Sequence, residues 1–354
     1  MTSPPSMRAA RVRGPQQFGV DDVPVPEPGP GEVRVRIEAC GICGSDLHFY
    51  HGALHAVGHT PGHEMAGVVD RLGPDVQGFT PGDRVAVEPI RSCGDCALCR
   101  SGRDNVCRAT RVLGIHEPGG FAEHIVVPSR RLFDLPHDLD PAIGALTEPV
   151  AVSIHGLRRG RFEKGQRVLV LGSGAVGLVT VLAARQLGAG EVWASARYPM
   201  QGERARSLGA DRVLTEPEAD PASLARLGLE HDIDLVVETV GGRADTLRAA
   251  CAAIRPGGTV SVLGLFFDTV EVDPFSLLLK EGTLAWSNCY DRQGAGPVDF
   301  ERAAQLVGDE RERLSELLTH RVALEDVDEA YRLAADKRSG AVKVSVLTGA
   351  AGAH

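Results

Sequence analysis

The sequence predicts an α/β protein with two domains, one an irregular antiparallel β domain and the other a doubly wound parallel sheet. Three observations carry this. At 354 residues the chain exceeds one ordinary core. Its first part reads as short strands broken by glycine and proline, with almost no helical period. From Arg167 onward, strands and helices alternate, which is the pattern of a parallel sheet.

Composition narrows the class. Hydrophobic residues make up 43% and charged residues 24%, as in ordinary globular proteins. A net charge of -9 argues against a nucleic-acid partner, because phosphate repels such a surface. No apolar run is long enough to span a bilayer. The opening Met1–Arg8 lacks the apolar core of a signal peptide, which predicts a cytoplasmic protein without a membrane partner.

Residues 8–20 read as a strand pair around a Gly14-Pro15 turn, and the four prolines of Val23–Gly31 make that stretch a connector. Glu32–Glu38 alternates apolar and charged residues, the period of a half-buried strand. It delivers Cys40-Gly-Ile-Cys43-Gly-Ser45-Asp46-Leu-His48, followed by Pro61-Gly62-His63-Glu64. A thiol and an imidazole suit a borderline-soft ion such as zinc, and three protein donors leave one corner free for substrate. Cys43 and His63 are therefore expected to hold a zinc ion. His51, His55 and His59 lie in a glycine-interrupted stretch and read as a polar loop.

Cys93, Cys96, Cys99 and Cys107, spaced by two, two and seven residues, fit a closed four-thiolate zinc site. Such a site has no open corner and supports structure. An iron–sulfur cluster is the rival, disfavoured by the loose last interval and the missing proline after Cys107. Cys40, Cys251 and Cys289 sit among small or apolar neighbours and read as packing residues.

Composition shifts at Asp140, and the expected division is 1–152 with 290–354 against 153–289. Within the second part, Arg167–Leu171 is an apolar strand leading to Gly172-Ser173-Gly174-Ala175-Val176-Gly177 and a helix to Leu187. In that context the glycines are a dinucleotide fingerprint: a tight turn, close approach to pyrophosphate, and helix-on-strand packing. The position that holds an acid in NAD sites is Ala196, flanked by Ser195 and Arg197. A missing carboxylate beside a guanidinium favours the 2′-phosphate of NADP over NAD. Further strands are expected through Ser287 and Asn288, then helices near 298–307, 314–319 and 327–335, and a last strand over 341–347.

Together these motifs resemble the zinc-dependent medium-chain alcohol dehydrogenases over essentially the whole chain. Gly62-His63-Glu64-x2-Gly67-x5-Gly73-x2-Val76 matches that family's zinc signature, while Cys43-Gly-Ser-Asp-x-His48 and Thr147-Glu148-Pro149 are most similar to the sorbitol and threonine dehydrogenase branch. The resemblance implies a GroES-like catalytic domain, a Rossmann domain, two zinc ions per chain, and a homodimer or homotetramer. It implies that Cys43 and His63 are zinc ligands with Glu64 or Glu148 as the third, that Asp46 orients His63, and that Ser45 and His48 relay a proton. It implies reversible oxidation of a secondary alcohol or polyol to a carbonyl, with hydride transfer to NADP or NAD. The segment Ala285–Tyr290 has no counterpart of the arginine that polyol-specific members carry, so the substrate stays unnamed. Two alternatives remain: an NADPH-dependent quinone or enone reductase of the same fold, and a non-enzymatic NADPH-binding zinc protein.

Overall fold

A computed structural model describes residues 5–52, 57–294, 296–336 and 338–349; His55 lies outside them. The chain divides into two compact units, residues 1–148 with 292–354, and residues 149–291.

The first unit opens with β1 (Ser6–Gly14) and β2 (Gln17–Pro24), paired antiparallel around the turn at Gly14. Prolines then stop the ladder. Next come β3 (Glu32–Gly41), the single helical turn α1 (Leu47–Tyr50), β4 (Glu64–Leu72), β5 (Arg84–Val87) and β6 (Ile90–Arg91). The short helix α2 (Ala97–Arg100) lies in the cysteine lobe, followed by β7 (Arg111–Val112), β8 (His124–Pro128) and β9 (Leu132–Asp134). Alternation in β3 turns Val33, Val35 and Ile37 inward, where they share a core with Met65, Val69, Val85, Val87 and Phe121. Helix α3 (Pro141–Gly144), capped by Asp140, closes this stretch.

Helix α4 (Thr147–Arg159) starts at the end of the first unit and runs into the second. The second unit is one six-stranded parallel sheet: β10 (Arg167–Leu171), β11 (Glu191–Ser195), β12 (Arg212–Leu214), β13 (Ile233–Glu238), β14 (Ile254–Val262) and β15 (Thr283–Trp286). The strand order is β12-β11-β10-β13-β14-β15. The connecting helices are α5 (Ala175–Gln186), α6 (Pro199–Ser207), α7 (Pro221–His231), α8 (Thr246–Ala253) and α9 (Pro274–Lys280). Strand order reverses beside β10, where such sheets bind ligands at the carboxyl ends of their strands.

The return to the first unit holds α10 (Asp299–Asp309), α11 (Arg311–Ser315), β16 (Leu318–Ala323), α12 (Val327–Ala335) and β17 (Lys343–Leu347). Two expectations are corrected here. The helix expected over 314–319 ends at Ser315, and Leu318–Ala323 is a strand because it finds a partner in β17. That pair is parallel, with α12 as its crossover, so the domain is not purely antiparallel. The full sheet runs β16-β17-β3-β4-β5-β9, with β8 also on β3. No helix among the described residues is long and apolar enough to cross a membrane.

Candidate active site

The end of β3 carries the chain to Cys43, where a tight loop is tied by Asp46: its Oδ2 accepts from the Cys43 N–H at 2.9 Å, and the Asp46 N–H donates to the Cys43 carbonyl at 3.1 Å. Asp46 is fully buried and its other oxygen, Oδ1, lies 3.5 Å from His63 Nδ1. Neither atom of that pair has a hydrogen bond. The opposite nitrogen, Nε2, lies 3.3 Å from Ser45 Oγ. Burial opposes charge on His63, but the Asp46 carboxylate, and after it Cys43, outweigh burial and hold the imidazole well above its ordinary pKa. A metal taking Nε2 must displace that proton, which couples binding to pH.

Glu64, at the start of β4, is fully buried and does not face this pair freely. Both of its oxygens accept from Lys343 Nζ at 2.7 Å, and the same ammonium donates to the Ile42 carbonyl at 3.2 Å. Lys343 is 2% exposed. Glu148, in the first turn of α4, is also buried. Cys43, His63 and a glutamate do not form a trio with all donor atoms within 4.8 Å of one another. His48 sits in α1; partial burial, with the charge of His51, lowers its pKa against the pull of Asp46.

The four lobe cysteines do converge. Their sulfurs are 3.7 Å apart for Cys93 and Cys99, 3.5 Å for Cys96 and Cys99, 3.8 Å for Cys96 and Cys107, and 3.5 Å for Cys107 and Cys93. A tetrahedron of thiolates at ordinary zinc–sulfur bond length has edges of about 3.8 Å. The Cys99 N–H donates to Cys96 Sγ and is the first cause of that thiol's lowered pKa. Donor set and spacing fit a zinc ion.

This lobe is anchored by buried charge. Arg131, 1% exposed, donates to Glu88, to Asp104 at 2.6 Å and to Ser92 at 3.0 Å. Arg292 adds a second guanidinium on Glu88.

In the second unit the glycine turn has the steric form its motif requires. A Cβ on Gly177 would stand 1.9 Å from the Gly172 carbonyl oxygen, so only glycine lets α5 pack so closely on the turn. Gly172 itself has φ +100°. Gly174 precedes α5 without a side-chain cap, and no other atom lies near where its Cβ would be. The N–H groups of Ala175, Val176 and Gly177 in the first turn are thus left for a ligand, which fits a pyrophosphate. Ser195 tethers the turn: its Oγ accepts from the Gly172 N–H at 2.9 Å, and its carbonyl accepts from Ser173 Oγ at 2.8 Å. Ala196 is buried, while Arg197 is 68% exposed, 3.6 Å from Glu216 and 5.8 Å over the Tyr198 ring.

A four-cysteine lobe, a half-buried cysteine beside a buried histidine, and a dinucleotide turn are the parts of a metal-assisted oxidoreductase. Residues 29–137 match the alcohol dehydrogenase GroES-like domain and residues 175–308 the zinc-binding dehydrogenase domain. The chain is 31% identical to a sorbitol dehydrogenase of Bacillus subtilis, with 98% of each chain covered. It is likewise 31% identical to an L-threonine 3-dehydrogenase of Anaeromyxobacter dehalogenans over 94% of this chain and 97% of that one. A zinc-binding dehydrogenase from Sinorhizobium meliloti 1021, solved with NADP, superposes with TM-score 0.87 at 35% identity, covering 97% of this chain and all of the other. The chain belongs to the zinc-dependent medium-chain dehydrogenases, in the branch of the sorbitol and threonine enzymes. It is an oxidoreductase that interconverts an alcohol and a carbonyl with zinc and a nicotinamide cofactor; the quinone reductase and non-enzymatic readings are not favoured.

Lys343 and Arg131 were not legible as site residues. The signal for Lys343 was a lone cation inside the otherwise uncharged, strand-like run Val342-Lys-Val-Ser-Val346.

Proposed function

We propose that Cys43, His63 and Glu148 hold the catalytic zinc, that Cys93, Cys96, Cys99 and Cys107 hold a second, structural zinc, and that the enzyme oxidises a secondary alcohol with NADP. The observation that carries this is the Cys43–Asp46–His63 arrangement, in which Asp46 fixes both the cysteine loop and the imidazole. Zinc bound there supplies a Lewis acid that lowers the hydroxyl pKa of the alcohol. The Asp46 carboxylate, 3.5 Å from His63 Nδ1, leaves Nε2 as the nitrogen for the ion. Ser45 Oγ would accept the hydroxyl proton while passing its own on, and His48 would carry that proton outward. Gly172, Ser173, Gly174, Ala175, Val176 and Gly177 bind the pyrophosphate and orient the nicotinamide.

Arg197 is the proposed contact to the 2′-phosphate, since no acid stands at Ala196 to repel it and the guanidinium, 68% exposed beside Glu216, can exchange that acid for the phosphate. Arg197→Ala is expected to lower kcat/KM with NADP about ten- to a hundredfold, the range of one or two bonds between charged groups, and to leave NAD turnover nearly unchanged. Steady-state kinetics with both cofactors over a panel of secondary alcohols and polyols measures this, and no turnover with any alcohol would end the reading.

A second copy of the chain is the proposed partner of the second unit. Helix α9 exposes Phe275, Leu278 and Leu279 at 66%, 70% and 69%, and β15 is an open sheet edge. Leu278→Glu is expected to weaken the assembly at least about tenfold, read by light scattering on a size-exclusion column.

A further inference from the structure

Beside the two-stranded β6–β7 ribbon that carries the cysteine lobe, the first unit holds a cleft of about 390 Å³ that the chemistry above does not use. That volume lies in the range of small-molecule sites. None of Cys43, His63, Glu64 and Glu148 lines it. Its apolar wall is built from Met7, Ala9, Val23, Leu113, Ala122 and Ile125. Met7, Ala9 and Ala122 form a small hydrophobic cluster of their own, with Val23 packed against it. Ala9 and Ala122 pair across a bridge, and their short side chains leave the space beside them unfilled.

The polar wall is basic. Arg11 donates to the Gly58 carbonyl at 2.6 Å and pairs with no carboxylate among the described residues. Arg91 donates to the Val126 carbonyl at 2.8 Å, while its Nε, 3.2 Å from Glu117 Oε2, is buried without a hydrogen bond. Among the described residues Glu117 is the only acid in the wall, and Arg111 already donates to it at 3.0 Å. His124 lies two residues along β8 from the carbonyl that Arg91 holds, and its Nδ1 is a second buried atom without a hydrogen bond. Burial lowers the pKa of His124 against the pull of Asp70, so the ring is neutral at pH 7 and offers Nδ1 as a hydrogen-bonding group.

We propose that this cleft is a second binding site, for a compact apolar carboxylate whose acid group rests on Arg91 and His124 and whose hydrocarbon part lies against Met7, Ala9, Val23 and Ala122. A buried polar atom without a partner costs free energy, and a carboxylate satisfies both orphans at once, accepting from Arg91 Nε–H and from the Nδ1–H tautomer of His124. The bond to the guanidinium is charge-assisted, and Arg11 adds further attraction for an anion. Two guanidiniums against one shared acid repel a cation. A bare phosphate or a polyol would leave the apolar wall uncovered, whereas an alkyl or aryl body releases the water from it.

The test is isothermal titration calorimetry of the full, zinc-loaded chain without nucleotide, using octanoate and its neutral counterpart octanamide as probes. Octanoate is expected to bind with a Kd of about 1 mM or below, the affinity open to a ligand of that size, and octanamide about tenfold or more weaker. Arg91→Met is expected to weaken octanoate about tenfold or more, through loss of the charge-assisted bond. Val23→Trp enlarges a half-buried side chain at the wall, so that it grows into the cleft and abolishes binding; it decides alone if Arg91→Met does not fold. Cys43→Ser is expected to bind octanoate as the parent chain does, which separates this site from the catalytic ion. Absence of octanoate binding, equal binding of octanamide, unchanged binding in Arg91→Met or Val23→Trp, or binding lost altogether in Cys43→Ser overturns the proposal.

Discussion

Cys43→Ser is expected to abolish alcohol oxidation, lowering kcat/KM by about a thousandfold or more, while the protein stays folded. The size follows from the several kcal/mol that Lewis-acid stabilisation contributes, at about 1.4 kcal/mol per factor of ten. A serine hydroxyl matches the thiol in shape but binds zinc poorly at neutral pH. The loop itself loses nothing, because its tie to Asp46 runs through the backbone N–H of residue 43. Metal content should drop from two zinc ions per chain to one, the ion of the cysteine lobe remaining. Undiminished turnover, or an unchanged metal count, would show that the thiol is not a ligand.

Arg131→Met should cause the largest loss of stability, about 3–5 kcal/mol, the usual consequence of removing one partner from a buried ionic group. Glu88 and Asp104, 2% and 5% exposed, would keep only the partial cover of Arg292. The loss belongs to the first unit, since Arg131, Glu88, Asp104 and Arg292 all lie in it. Both tryptophans, Trp193 and Trp286, lie in the second unit, so their fluorescence is a poor reporter. Calorimetry is the better measurement: one transition should move down while a second holds its place. An unmoved thermogram would mean that the guanidinium carries little net stability.

What could be read from the sequence was chemistry written in short spans. The cysteine lobe and the glycine turn each occupy a few consecutive residues, so spacing alone constrains their geometry. The six parallel strands of the second unit were legible for the same reason, since each carries a short local run of apolar residues. What escaped depends on pairing across distance. Leu318–Ala323 has no strong alternation and became a strand only because β17 lies beside it. Glu64 carried the family's signature, yet its engagement with Lys343 is invisible without knowing that Gly41 lies between them. The arginine–carboxylate group around Arg131 likewise joins residues from separate segments, each of which alone reads as a surface charge.

The strand-crossing ion pair also imposes an order on biosynthesis. Glu64 and Lys343 are 279 residues apart, and the whole second unit is encoded between them. At about 5–20 residues added per second, the ribosome releases the acid roughly a quarter of a minute to a minute before its counter-ion. The contiguous parallel sheet is synthesised whole in that interval, and the first unit has its full sheet only once the late-made strand is added.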